Sequence, residues 1–207
     1  MIQRTDEWNA ARCGKITASR IWDLLDKTRA GKPTAKRKNY IAEKTLERIT
    51  GNPIDHYRSA AMQWGIEQES DARAVFEIET GRAVREVGFI DHPTLPMCGA
   101  SPDGLVSNDA IIEIKCPMSA THLAFVRTGD IDPQYYAQMQ WVMECTGRTQ
   151  AWFVSYDPRC GPGLEVEYKL FKRDDEFIVS AREEVIAAEE EIAEQVAALE
   201  EIARSRA

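Results

Sequence analysis

The chain has 207 residues, 43% hydrophobic and 29% charged, enough for one sizeable core, and no apolar run nears the ~20 residues that cross a bilayer. Five cysteines at 13, 98, 116, 145 and 160, with no Cys-x-x-Cys, exclude a disulfide framework and a zinc or iron–sulfur site; they read as reduced, mostly buried thiols. The net charge of -8 resides in residues 174–207, with eleven acids against three bases, while residues 1–173 hold 23 of each, so the body of the chain is not barred from a polyanionic partner.

The opening Met1-Ile2-Gln3-Arg4-Thr5-Asp6 lacks signal-peptide architecture, so a single cytoplasmic domain over residues 1–207 is expected. Residues 6–12 read as a short helix. A second is expected to open at Ile16-Thr17-Ala18-Ser19, capped by Thr17 or Ser19, and to run to Leu25. Its free N–H groups, with Arg12, Lys15 and Ser19 nearby, could hold a phosphate; plain capping beside an exposed arginine is the alternative. Residues 27–38 carry six bases and no acid around Gly31 and Pro33, a loop that either tracks a phosphate backbone or is merely solvated.

Asn39–Thr50 has a helical pattern stopped by Gly51-Asn52-Pro53. Ala60–Thr80 reads as a longer helix closed by Gly81, with Met62, Glu69, Arg73 and Phe76 on one side and Glu67 facing elsewhere. Val84–Ile90 reads as the first long strand. Tyr135–Glu144 is a helix whose stripe of Tyr135, Met139 and Val142 includes the polar Gln138, which needs a partner if buried. Ala151–Tyr156 and Leu164–Phe171 are further strands around a Pro/Gly-rich turn. From Asp174 one long amphipathic helix repeats Ile178, Val185, Ile192 and Leu199 every seven residues, and should lie on the domain or a neighbour with its acids outward.

The chemistry concentrates between Pro102 and Lys115. Asp103-Gly104 and Asn108-Asp109 are turn formers, and Ala110–Ile114 is rich in β-branched residues. Glu113 and Lys115, two apart on a strand, share a face, while Ile112 and Ile114 point into a core. Carboxylates gathered with an amine suit a hard divalent cation such as Mg²⁺ or Mn²⁺, which needs only one or two of them. A lysine beside that ion can orient water and stabilise phosphoryl charge, so metal-assisted hydrolysis of a phosphodiester is the inferred reaction. The bland reading is a surface hairpin carrying an ordinary Glu-x-Lys pair.

Six blocks occur in order: Arg12-Cys13-Gly14-Lys15-Ile16-Thr17-Ala18-Ser19, Trp64-Gly65-Ile66-Glu67-Gln68-Glu69, Ser101-Pro102-Asp103-Gly104-Leu105, Glu113-Ile114-Lys115-Cys116-Pro117, Tyr135-Tyr136-Ala137-Gln138-Met139-Gln140 and the stretch from Trp152 to Arg159. Together they resemble the phage lambda exonuclease (YqaJ-type viral recombinase) family within the PD-(D/E)xK nuclease superfamily. Ile66, Glu67 and the acidic tail depart from that pattern.

The resemblance implies an α/β fold with a restriction-endonuclease-like core, a central mixed β-sheet flanked by helices and a long C-terminal helix. It implies a Mg²⁺-dependent 5′-to-3′ exonuclease, for which Mn²⁺ can substitute, degrading one strand of linear duplex DNA and leaving 3′ overhangs for strand annealing. Asp103, Glu113 and the carbonyl of Ile114 would bind metal, and Glu69 would help form a second metal site. Lys115 and Gln138 would position and activate water. Arg12, Ser19 and Ser101 would receive a 5′-phosphate, Met62 would be the wedge at the last base pair, and Arg29 would follow the duplex. A homotrimeric ring on double-stranded DNA ends and a single-strand annealing partner are further implications. The rivals are a structure-selective or restriction-type endonuclease and a noncatalytic DNA-end or scaffold protein.

Overall fold

The computed structural model describes residues 2–54 and 59–206. In chain order they form α1 (Asp6–Arg12), β1 (Ile16–Thr17), α2 (Ile21–Leu25), α3 (Ala35–Thr50), α4 (Ala60–Thr80), β2 (Val84–Arg85), β3 (Ile90–Asp91), β4 (Cys98–Ala100), β5 (Gly104–Val106), β6 (Ala110–Lys115), α5 (Ser119–Thr128), α6 (Pro133–Thr146), β7 (Gln150–Tyr156), β8 (Val166–Lys172) and α7 (Asp175–Arg206). The central sheet runs β2-β5-β6-β7-β8, and a smaller one runs β1-β4-β3. Only β6 and β7 pair in parallel within the larger sheet; its other ladders are antiparallel. That parallel pair requires a crossover, which α5 and α6 supply. The expected mixed sheet flanked by helices is the fold observed.

Alternation along β6 sends its side chains to two cores. Ile112 and Ile114 pack with Ala72 and Phe76 of α4, whereas Ile111 packs with Phe153, Met139 and Phe125 on the opposite face. Both faces are therefore covered, and Glu113 emerges from a buried face rather than from an open charged one.

Gly104 is not a turn residue as its Asp-Gly context suggests. It opens β5, where a Cβ would collide with the Val84 side chain, so glycine there keeps β2 against the strand that Asp103 precedes. The turn between β5 and β6 holds Ser107 in the left-handed region, φ 53°. The Arg148 guanidinium fixes it, with Nη1 donating to the carbonyls of Val106, Ser107 and Ala110 at 3.2, 3.0 and 2.7 Å.

Several expectations are corrected. Val84–Ile90 is not one strand: its ends belong to different sheets, β2 pairing with β5 and β3 with β4. Ile16-Thr17 is a strand paired with Cys98-Gly99, a 3₁₀ turn follows at Ala18–Arg20, and neither Thr17 nor Ser19 acts as a side-chain cap. Lys36, Arg37 and Lys38 lie in α3, so the basic loop is shorter than expected. Cys98 and Cys145 are buried, but Cys13, Cys116 and Cys160 are half-buried. On α7 the stripe Ile178, Ala181, Val185, Ala188 and Ile192 is buried, whereas Leu199 and Ile202 are exposed. Its acids do not all face outward: Glu184, Glu191 and Glu189 pair with Lys27, Arg37 and Arg48 at 2.6, 2.6 and 2.7 Å. The excess negative charge of the tail thus neutralises part of the basic segment.

Candidate active site

Pairing of β5 with β6 aligns Gly104 with Ile112, Leu105 with Ile111 and Val106 with Ala110. Asp103 immediately precedes the end of this ladder, which brings it to the Glu113–Ile114 end of β6. There the Asp103 side chain replaces the backbone rung: its Oδ2 accepts the Ile114 N–H at 2.7 Å. Glu113 is fully buried. Its Oε1 receives the Gln138 Nε2–H at 2.6 Å and the Lys115 ammonium, while its buried Oε2 has no hydrogen-bond partner among the described residues. Gln138 reaches it because Asp132 caps α6 by accepting from Gln134 N at 2.9 Å, with Pro133 at the first turn and Gly147 closing the helix.

The electrostatics follow from this crowding. Desolvation first, and then the Glu113 charge, push the Asp103 carboxyl well above its usual range, against the smaller help of Lys115. Burial opposes the Lys115 ammonium as well, but Glu113 and Asp103 outweigh it and raise its pKa, so the amine is held protonated. It also lies 4.9 Å from the centre of the Tyr135 ring.

These groups open on a cleft of about 740 Å³ that is also lined by Glu69, Met62, Arg12, Ser19, Ser101 and Ile114. The cleft therefore gathers ten of the eleven residues nominated from the sequence. Arg29 does not line it and is exposed on the segment before α3. Lys15 is also absent, its ammonium 2.5 Å from Asp91. The helix expected to open at Ile16-Thr17-Ala18-Ser19 spans only Ile21–Leu25, while Arg12, Ser19 and Ser101 line the cleft. Arg12 stacks on the Trp8 ring at 4.0 Å and donates to Ser101 Oγ at 3.2 Å, which also accepts the Trp8 indole N–H at 2.9 Å. With two donors on its oxygen, the Ser101 hydroxyl proton is left to donate to a ligand. Burial lowers the Arg12 pKa, although an arginine remains charged.

Glu69 faces the cleft as expected, while Glu67 is exposed and accepts from Gln63 at 2.8 Å. The Glu69 carboxylate pairs with Arg4 and with Arg73, the latter at 3.0 Å. Met62 is 53% exposed at the cleft. Sequence reasoning missed Arg4, Trp8, Tyr135 and the Trp64–Arg159 stack. Of these, Trp8 and Tyr135 had a local signal, as aromatics spaced one helical turn from Arg12 and Gln138, and Trp64 and Arg159 stand at the ends of two of the six ordered blocks; Arg4 had none.

The donor set suits a hard divalent cation. The unpartnered Glu113 Oε2 and the destabilised Asp103 carboxylate are what such an ion would relieve. Among the described residues no cluster of three or more Asp, Glu, His or Cys side chains could hold a metal. Two carboxylates completed by a backbone carbonyl, water and substrate phosphate fall within the coordination that Mg²⁺ accepts.

A family model described as YqaJ-like viral recombinase domain matches residues 7–149. Two crystal structures of LHK-Exo, an alkaline exonuclease from Laribacter hongkongensis, one of them in complex with dAMP, are 45% identical to this chain. Each covers 98% of it and 100% of its own length, with a TM-score of 0.91. A phage-related exonuclease from Haemophilus somnus 129PT shares the fold at a TM-score of 0.69 and 18% identity, over 89% of this chain and 96% of its own. No curated protein matches.

Proposed function

This chain belongs to the YqaJ-like viral recombinase domain family, and from that premise we propose that it is a Mg²⁺-dependent exonuclease removing nucleotides 5′ to 3′ from one strand of linear duplex DNA. The observation that carries this reading is the Asp103–Glu113 pair, set by strand register beside a protonated Lys115 in a cleft that also holds the Arg12–Ser101 pocket. Its likeness over 98% of the chain to an alkaline exonuclease supports a nuclease.

Asp103, Glu113 and the carbonyl of Ile114 would hold the cation. When bound, it would supply Lewis-acid polarisation of the scissile phosphate and acidify a nearby water. Lys115 donates to the phosphoryl oxygens, and its charge stabilises negative charge that grows in the transition state. Gln138 fixes the Glu113 carboxylate, so the carboxylate pair keeps its orientation. Arg12, Ser19 and Ser101 take the 5′-phosphate of the shortened strand, and the exposed Met62 is the wedge beneath the last base pair. Glu69 serves a second cation only when Arg4 leaves its carboxylate.

The same reading carries a homotrimeric ring around the duplex, with Arg29 following the DNA, and 3′ overhangs passed to an annealing protein in the cytoplasm. Among the described residues no helix is long and apolar enough to cross a membrane. The test is a time course on linear duplex labelled at either end, with and without Mg²⁺. Loss of the 5′ label first, only with the ion, supports the proposal. Equal cutting of duplexes with blocked 5′ ends would instead establish the endonuclease reading.

A further inference from the structure

The cleft holds a second guanidinium on an indole. Arg159 lies over the Trp64 ring at 4.6 Å, as Arg12 lies over Trp8 at 4.0 Å, and both pairs line the cleft that contains Asp103, Glu113 and Lys115. We infer that Arg159 is a second phosphate-binding residue, which takes an internal phosphodiester of the bound DNA while Arg12 takes the terminal phosphate. This rests on the nuclease reading above.

The grip on Arg159 is one-sided. The fully buried Asp157 carboxylate accepts from its backbone N–H at 3.0 Å, from Nε at 2.7 Å and from Nη2 at 2.9 Å. Nη2 also faces the Pro117 carbonyl at 3.4 Å. Nη1 has no hydrogen-bond partner among the described residues, and 43% of the side chain is exposed. A guanidinium held along one edge and stacked on one face, with its other edge open, is preorganised to donate to a phosphate oxygen with little further loss of side-chain freedom.

The attachment points explain why two such groups serve one substrate. Ser101, held by Arg12, lies two residues before Asp103, and Pro117, reached by Arg159, lies two residues after Lys115. The two arginines are thus fastened to the segments that enter and leave the carboxylate hairpin. With the terminal phosphate on Arg12 and the phosphodiester beyond the scissile one on Arg159, the scissile phosphodiester between them would be brought to the carboxylates in a fixed position.

The test compares wild type with Arg159→Gln and Arg159→Lys. Binding of a 5′-phosphorylated duplex is titrated against salt in EDTA, and degradation is followed with Mg²⁺. For Arg159→Gln, duplex binding should fall roughly ten- to a hundredfold, the range for a charge-assisted hydrogen bond. The slope of log K against log salt should become shallower by about 0.9, one phosphate contact. KM should rise with kcat little changed, and the preference for 5′-phosphorylated ends should persist. Arg159→Lys should recover the slope and part of the affinity. An unchanged salt slope in Arg159→Gln, alongside a lower Tm or kcat, would make Arg159 a brace only and overturn the inference. Wild-type protein that neither binds nor degrades duplex would instead sink the nuclease reading itself.

Discussion

Glu47 and the Asp103–Glu113 pair are buried carboxylates in one chain, held in opposite ways. Glu47, on α3 and 4% exposed, receives the Lys44 ammonium at 2.7 Å and the backbone N–H groups of Gly14 and Ile54 at 2.8 and 3.1 Å. Desolvation works against its charge, but the Lys44 hydrogen bond and the two backbone donors together keep its pKa below the usual range. Asp103 is pushed the other way, and Glu113 keeps an oxygen without a partner among the described residues. A satisfied buried charge belongs to the architecture, while an unsatisfied one has been left for something that binds.

Breaking the active side of this comparison should have the largest effect. Lys115→Ala should lower nucleotide release by at least roughly 10²–10³-fold, the loss seen when one preorganised donor to transition-state charge is removed. Single-turnover kinetics on end-labelled duplex will measure it; because Lys115 also pairs with the buried Glu113, the unfolding midpoint of the metal-free protein should fall as well.

Breaking the structural side should leave chemistry and take stability. Glu47→Gln leaves the buried Lys44 with only the Glu43 carboxylate at 3.2 Å and should destabilise the fold, by at most about 3–5 kcal/mol, read by urea unfolding. Its sign with pH is fixed. Because the folded pKa is depressed, Glu47 lends stability above its ordinary value of 4.5, lost as pH falls through the lower folded value.

Asp103→Asn should do the opposite in metal-free protein. The folded pKa of Asp103 is raised above its ordinary 3.8, so the stability this group lends is present below that pH and disappears as pH climbs through the folded value. Removing the charge should therefore raise the midpoint at neutral pH by roughly 2–4 °C, the shift that 1 kcal/mol makes in a domain of this size, while activity is lost. The smallest effect belongs to Lys27→Ala, which deletes a half-exposed pair with Glu184 and should change stability by at most about 1 kcal/mol.

The carboxylate hairpin was legible because its signals are local. The Asn108-Asp109 turn and a period-2 strand set the register, and that register alone brings Asp103 to Glu113. The position of Gln138 was legible from the apolar stripe of α6. Glu47 was not, since a glutamate one turn from Lys44 looks like any solvated helix pair until Gly14 and Ile54 are folded over it. Nor was the break in Val84–Ile90, because alternation reads the same whether the two ends pair with one sheet or two. Arg4 and Arg159 carry no periodic signal. Their roles arise from contacts 65 and 42 residues away, with Glu69 and Pro117.

The central claim is that the destabilised Asp103–Glu113 pair is a divalent-cation site. The direct measurement is the unfolding midpoint of wild type and Asp103→Asn as Mg²⁺ is titrated, without DNA. The wild-type midpoint should climb with the logarithm of Mg²⁺ concentration once the site saturates, while that of Asp103→Asn stays flat. Identical curves for the two proteins would contradict the account.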